Sequence, residues 1–203
     1  DITANNAFSV RVALHVVDDE PGGVQSGHYL WPAAPRLAEF LIELSQAPKF
    51  KPSAVLELGA GCALLSLTAL QLLHDSLQCL VVTDHDPGTL ERARDNYETT
   101  LEDLLDCTES EEEQFDIING LNSIPVLFES LSWGDSKVAK QVAIAAVENS
   151  SPLRILESQP ANPENGEGDS NNGTYRPTQP VNPDFDPERN IFDLLLGSDL
   201  IYC

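Results

Sequence analysis

One unit constrains the fold more than any other: a strand, a glycine turn and a helix follow one another without a break in "SAVLELGAGCALLSLTALQLLHD". Val55, Leu56 and Leu58 predict a short buried strand, and two glycines predict the turn after it. The stretch Leu64 to Leu73 is apolar nearly all round, which is typical of a helix packed inside a protein. A buried strand followed directly by such a helix predicts an α/β fold with a parallel sheet.

The rest of the chain continues this alternation. Further strands are predicted in "LQCLVVTD", "IPVLFESL" and "FDLLLG", and helices in "PRLAEFLIELSQ", "DPGTLERARDNYETTLEDLL" and "SKVAKQVAIAAVEN". Pro35 and Pro87 suit the first turns of their helices, and Asp86 is a suitable N-cap. We therefore expect one α/β domain over residues 1–203 with a mostly parallel sheet.

An N-terminal β extension is expected before this sheet. Apolar residues alternate there with less apolar ones, at Phe8, Val10, Val12, Leu14 and Val16. A period of two predicts a strand with one buried face.

Two stretches are too poor in apolar residues to join a core. Residues 102–116 hold eight acids and no base, and residues 149–190 hold half of the 14 prolines. Such segments bury too little apolar area to offset the entropy lost on ordering. We expect both to be disordered insertions in loops.

The formal net charge of −22 limits the partners of the chain. A strongly acidic protein repels phosphate backbones, so we expect no direct binding to nucleic acid. It attracts basic proteins instead, although acids in solvated loops can also serve only solubility. No apolar run approaches the roughly 18 to 20 residues of a membrane span, so no membrane association is expected.

Cysteine and methionine usage adds two expectations. Cys62, Cys79, Cys107 and Cys203 lie far apart, without the paired spacing of a zinc site, so we expect no metal and a reducing, intracellular protein. The chain contains no methionine, so we expect it to be a piece of a longer protein.

The glycine turn carries the first candidate site. Gly59 and Gly61 follow a strand, where backbone N–H groups can approach a ligand closely. Glu57 precedes them and can receive an amino group, and Asp84 ends the next strand at a spacing near that of a ribose-binding acid. Ala63 stands near the third glycine of the dinucleotide pattern, which disfavours NAD. The alternative is a tight turn beside an ordinary strand-ending acid.

Further polar and aromatic residues follow other strands or turns. Trp31 and Trp133 lie beside turn residues, and Asp199 and Tyr202 follow the last apolar strand. The carboxyl ends of parallel strands form one cleft, where ligands bind in open α/β sheets. Each residue also has a structural alternative: core packing for the tryptophans and Tyr202, and a helix cap for Asp199.

Together these residues resemble a known family. The segments that carry the likeness are "GHYLWPAAPRLAEFL", "VLELGAGCALLSLTAL", "VVTDHDPGTLERARDNYE", "LSWGD" and "FDLLLGSDLIY". Their order and content resemble the seven-β-strand methyltransferases, and among them the family-16 group of non-SET protein lysine methyltransferases. The tryptophan after the third strand and the Asp-x-x-Tyr of residues 199–202 are the most specific marks. The likeness covers most of residues 27–202 outside the two insertions.

The resemblance implies S-adenosyl-L-methionine as cofactor and a set of residues that hold it. Gly59, Ala60 and Gly61 would lie against its methionine part, with Glu57 beside them. Asp84 would hold the ribose and Trp133 would flank the adenine. The remaining implied residues are Trp31 and Ser198, which would line the pocket, and Asp199 and Tyr202, which would orient and enclose the acceptor amine as catalytic residues. Ala63 departs from the usual glycine of the family.

The resemblance also implies a Rossmann-like seven-strand fold whose sheet continues past the fourth strand. We therefore expect this chain to be truncated there, with C-terminal strands missing. It implies a monomeric enzyme of the cytoplasm, and also of the nucleus, that methylates a lysine of a basic or translation-related protein. Three alternatives stay open: a small-molecule N-methyltransferase, a non-catalytic protein-binding module and an NAD-dependent oxidoreductase.

Overall fold

The computed structural model describes residues 2–3, 9–16, 26–108, 110, 119–150 and 191–197. In these residues two short strands, β1 and β2, come first, a short 3-10 helix at Ser26–His28 follows, and a parallel sheet flanked by α-helices comes after it. The elements are β1 (Ile2–Thr3), β2 (Ser9–Val10), α1 (Ala33–Ser45), β3 (Ala54–Leu58), α2 (Leu64–Leu73), β4 (Cys79–Asp84), α3 (Pro87–Asp106), β5 (Val126–Ser130), α4 (Ser136–Ser150) and β6 (Leu194–Leu196). No helix in these ranges is long and apolar enough to cross a membrane.

The main sheet has the strand order β5-β4-β3-β6, and all three pairings are parallel. Leu56 of β3 lies opposite both Val81 of β4 and Leu195 of β6. The α/β fold class predicted from the alternation of strands and helices is therefore confirmed. Because every strand runs the same way, the turns after β3, β4 and β5 lie at one edge of the sheet.

Helices cover both faces of this sheet. Along β3 and β4 the side chains alternate, so that Val55 and Leu80 face a core shared with α1, α2 and α3. Leu56 and Val81 face the opposite side and pack against α4. Helix α2 has eight buried residues among its ten, as expected from its apolar sequence. The strands thus lie in the middle of three layers.

The structure corrects the first part of each predicted insertion. Helix α3 continues to Asp106, so residues 102–106 are helical rather than disordered, because Leu101 and Leu104 still pack against the core at helical spacing. Helix α4 continues to Ser150, so residues 149–150 are also helical. Apart from 107, 108 and 110, the rest of both stretches lies outside the described residues.

The N-terminal strand is predicted too long. Of the described residues in this predicted strand, only Ser9–Val10 pairs, with β1, and the structure assigns residues 11–16 to no strand. The backbone of this segment bonds instead to side chains on α2 and α3, namely Gln71, Asn96 and Thr100. The period-two pattern arises because Val12 and Leu14 pack against the core while the segment crosses the helices.

Candidate functional site

A cavity of about 420 Å³ opens at the carboxyl ends of β3 and β4. Its volume lies within the usual range of small-molecule sites. The structure brings together every described residue that the sequence analysis assigns to the cofactor: Trp31, Glu57, Gly59, Ala60, Gly61, Asp84 and Trp133. Ser198, Asp199 and Tyr202 lie outside the described residues.

The glycine turn adopts a backbone that few residues tolerate. Gly59 and Gly61 have φ of 62° and 53°, in the left-handed region. A Cβ on Gly61 would lie 3.2 Å from the carbonyl oxygen of Gly27, on the facing wall of the cavity. Ala63 also has φ of 62°, a backbone conformation that glycine adopts more readily than alanine.

Three N–H groups of this turn are already bonded to the protein. Ala60 donates to the Thr83 carbonyl at 2.9 Å, and Ala63 donates to the Ala60 carbonyl at 2.8 Å. Gly61 donates to Oδ2 of Asp84 at 3.2 Å. A phosphate-binding turn needs such N–H groups directed at the ligand. The turn is therefore suited to close approach of a ligand rather than to holding a pyrophosphate.

Asp84 is buried at the end of β4 and is held in a fixed orientation. Its Oδ1 accepts from the Asp86 amide at 3.1 Å and lies 3.1 Å from Nδ1 of His85. Its Oδ2 accepts from Gly61. A carboxylate oriented in this way can accept hydrogen bonds from ligand hydroxyl groups with little loss of side-chain entropy.

Glu57 is a second carboxyl group in the cavity wall, 2% exposed. One of its oxygens accepts from the amide of Ser66 at 3.0 Å and also from the Ser66 hydroxyl. Burial raises the pKa of Glu57 to about 7, although the bonds from Ser66 oppose that shift. A cation bound beside Glu57 would favour its charged form.

Two tryptophans stand on the walls. Trp31 packs edge-to-face on Tyr29, with ring centroids 5.7 Å apart. Trp133 is 55% exposed and follows β5 in a short turn. The Leu131 amide donates to the Asp84 carbonyl at 2.8 Å, which holds the beginning of that turn against the end of β4. Both aromatic side chains can therefore flank a planar ring in the cavity.

The sequence analysis missed several residues of the site, among them Asp86 and Cys62. Asp86 lines the cavity as well as capping α3, where it accepts from the Thr89 amide at 2.7 Å, and bonds from Thr89 lower its pKa. Cys62 also lines the cavity, and its thiol donates to the His28 carbonyl at 3.3 Å. Burial raises the pKa of Cys62 to about 11, so it is a structural thiol rather than a nucleophile. In the sequence, the feature that indicates a place for Asp86 in the site is its position two residues after Asp84.

The ionisable side chains of the cavity wall are mainly acidic. Its described lining contains three carboxyl groups, those of Glu57, Asp84 and Asp86, and one imidazole, but no lysine or arginine. Such a wall attracts a cationic ligand and repels polyphosphates. In the described part of the chain, no group of three or more His, Cys, Asp or Glu residues could hold a metal ion.

The sequence also matches known proteins. Residues 11–148 match the sequence family described as lysine methyltransferase, which is more than half of the chain. Two proteins from strains of Cryptococcus neoformans var. neoformans serotype D are each 35% identical over 107 residues, covering 50% of this chain and 33% of theirs. Both are named protein N-terminal and lysine N-methyltransferase. The chain thus spans about a third of the length of these curated relatives.

Proposed function

This chain belongs to the lysine methyltransferase family, and from that premise we propose that it transfers a methyl group from S-adenosyl-L-methionine to a lysine side chain of a protein. The observation that carries the proposal is the acidic wall of the cavity at the glycine turn, whose described lining has no lysine or arginine. A ligand with a sulfonium, an ammonium group and a ribose diol matches that wall, whereas a dinucleotide pyrophosphate does not.

The residues present fit this cofactor part by part. Gly59, Ala60 and Gly61 would lie against the methionine part, since the turn permits close approach. Glu57 would face the ammonium group, and Asp84 would accept from the ribose hydroxyls. The aromatic wall residues Trp31 and Trp133 would flank the adenine and its surroundings, with Ser198 beside them. When bound, the cofactor supplies an electrophilic methyl group on its sulfonium.

The acceptor amine must be neutral to attack this methyl group. A lysine with an ordinary pKa near 10.4 is uncharged in only about one molecule per thousand near pH 7.4. Desolvation beside the cavity would lower the pKa of that amine. Asp199 would then orient the amine by a hydrogen bond and Tyr202 would enclose it, so that positioning provides most of the acceleration. Both roles rest on the Asp-x-x-Tyr motif of residues 199–202.

A protein N-terminus is a second candidate acceptor. The printed names of the relatives include N-terminal methylation. An α-amino group has a pKa near 7.7 to 8.0, so its neutral form is far more abundant near pH 7. The acidic net charge of −22 favours a basic acceptor of either kind, including translation-related proteins. We further propose that the protein acts as a monomer in the cytoplasm and also in the nucleus.

Methylation by the full-length protein tests this proposal. The protein is incubated with labelled S-adenosyl-L-methionine and a cell extract, and labelled residues are identified by mass spectrometry. We expect label on lysine side chains, and label only on small molecules would refute a protein acceptor.

The variant Asp199→Asn tests the proposed role of Asp199. It keeps the shape of the side chain but loses its charge, so single-turnover rates should fall on the order of a hundredfold. Asp95→Asn, on the exposed face of α3, is the matched control and should retain the wild-type rate.

A further inference from the structure

We propose that Asn96 is a positioning residue that joins the N-terminal segment, defined as residues 11–16, to the glycine turn. Through this one buried amide, docking of the N-terminal segment would set the affinity of the turn for the cofactor. The effect on cofactor affinity rests on the function proposed above, whereas the effect of Asn96 on the conformation of the turn does not. Asn96 does not line the cavity, so it acts only through other residues.

The side chain of Asn96 is fully buried and bonded at both ends. Its Oδ1 accepts from the His15 amide at 2.7 Å, and its Nδ2 donates to the Cys62 carbonyl at 3.0 Å. The orientation of the amide is unambiguous, because a backbone N–H needs its oxygen and a backbone carbonyl needs its nitrogen. Asn96 therefore connects two segments that lie 34 and 81 residues away from it in sequence.

The Cys62 carbonyl lies next to the strained part of the turn. It belongs to the peptide that precedes Ala63, whose φ of 62° is unfavourable for a residue with a Cβ. The Ala63 carbonyl in turn accepts from Leu67 at 3.0 Å in the first turn of α2. By fixing the Cys62 carbonyl, Asn96 holds the left-handed residue and the beginning of α2 in place. The thiol of the same cysteine holds the facing wall.

Thr100 supplies a natural control on the same helix. It lies four residues after Asn96 in α3, is also buried, and bonds to both the amide and the carbonyl of Ala13. It therefore holds the same N-terminal segment, but its hydrogen bonds do not reach the glycine turn. If Asn96 served only to attach that segment, loss of either side chain would have the same consequences.

The first experiment compares Asn96→Leu with Thr100→Val in the full-length protein. Hydrogen exchange of the Ala63 amide is measured together with calorimetric affinity for S-adenosyl-L-methionine, and the Leu80 amide in the sheet reports global stability. We expect Asn96→Leu to speed exchange at Ala63, relative to Leu80, and to weaken affinity, each about tenfold. Thr100→Val should change neither by more than about twofold. Equal effects of the two substitutions would overturn the proposal.

A second pair of variants leaves the buried amide intact, in case Asn96→Leu does not fold. His15→Pro removes the N–H that donates to Asn96, whereas His15→Ala keeps it. We expect His15→Pro alone to speed exchange at Ala63 and to weaken affinity, each by about threefold. Identical behaviour of the two variants would refute the coupling. If the wild-type protein fails to bind S-adenosyl-L-methionine, the proposed function falls, and exchange at Ala63 still decides the role of Asn96.

Discussion

Glu57 shows at the scale of one residue how a ligand site can cost stability. Its pKa of about 7 in the folded protein lies above the ordinary value of 4.5, because burial penalises the charged form. The folded state therefore holds this proton more tightly than the unfolded state does. The stabilisation that the protonated Glu57 gives the folded state is fully present below about pH 4.5, and it is lost as the pH rises toward 7.

Glu57→Gln removes this titration while keeping an oxygen for both bonds from Ser66. We expect the wild type to lose about 3 kcal/mol of unfolding free energy through Glu57 between pH 4.5 and 7, and the variant to lack that loss. Urea unfolding of both proteins at several pH values measures the difference. Parallel stability profiles for the two proteins would show that Glu57 is not held neutral by burial.

The glycine turn gives a second prediction for single residues. Gly61→Ala places a Cβ at φ of +53° and 3.2 Å from the Gly27 carbonyl, so we expect a loss of about 1 to 2 kcal/mol. Gly120→Ala is the matched control, since a Cβ there meets nothing within 4 Å. Thermal unfolding should therefore show a lower Tm for Gly61→Ala alone. A Tm equal to that of the control would mean that the turn relaxes freely.

Residue identities predicted which strand-end residues come together at the cavity. Glu57, Asp84 and the glycines were predictable because strand ends in a parallel sheet lie at one edge. Asn96 was not, because its role depends on a carbonyl 34 residues away that no local pattern marks. The sequence indicated the left-handed φ of Ala63 only indirectly, because this alanine stands near the third glycine of the dinucleotide pattern.

At the scale of elements, helix α3 is fixed at its beginning by a cap that is also part of the cavity wall. Asp86 accepts from both the amide and the hydroxyl of Thr89, and Pro87 occupies the first position of the helix. These contacts lower the pKa of Asp86, so its contribution to stability is present above its ordinary pKa and is lost as the pH falls through the lowered value. The cap thus stabilises α3 at neutral pH.

Substitution of the cap distinguishes its hydrogen bond from its charge. Asp86→Ala should lower the unfolding free energy by about 1 kcal/mol, whereas Asp86→Asn should lose only a small part of that, since asparagine is also a good cap. Chemical unfolding at pH 7 measures both variants. If alanine costs no more than asparagine, the contact with Thr89 does not stabilise the helix.

The N-terminal segment shows where reasoning from elements failed. Its alternation correctly predicted that Val12 and Leu14 face the core, but the prediction was wrong for Val16, which is 40% exposed. It could not show that the backbone bonds to side chains of α2 and α3 instead of to a strand. A period of two indicates which side chains are buried, but it does not indicate the hydrogen-bond partners of the backbone. The side chains that accept hydrogen bonds from this backbone, where a neighbouring strand would otherwise do so, are spread over two helices.

At the scale of the whole molecule, the alternating pattern was enough to predict a parallel sheet with a cavity at the carboxyl ends of its strands. The strand order β5-β4-β3-β6 places the glycine turn and Asp84 on the two central strands. The acidic character of the cavity could not be read from the net charge, because most acids lie elsewhere in the chain. It follows from the fold, which brings Glu57, Asp84 and Asp86 to the same wall.

Calorimetric titration of the full-length protein with S-adenosyl-L-methionine and, separately, with NAD tests the central claim most directly. We predict that S-adenosyl-L-methionine binds, that NAD does not, and that Asp84→Asn weakens the binding about tenfold or more by removing a charged acceptor. Asp95→Asn, an exposed acid on α3, should bind as the wild type does. Binding of NAD in place of S-adenosyl-L-methionine, or an unchanged affinity in Asp84→Asn, would contradict the account.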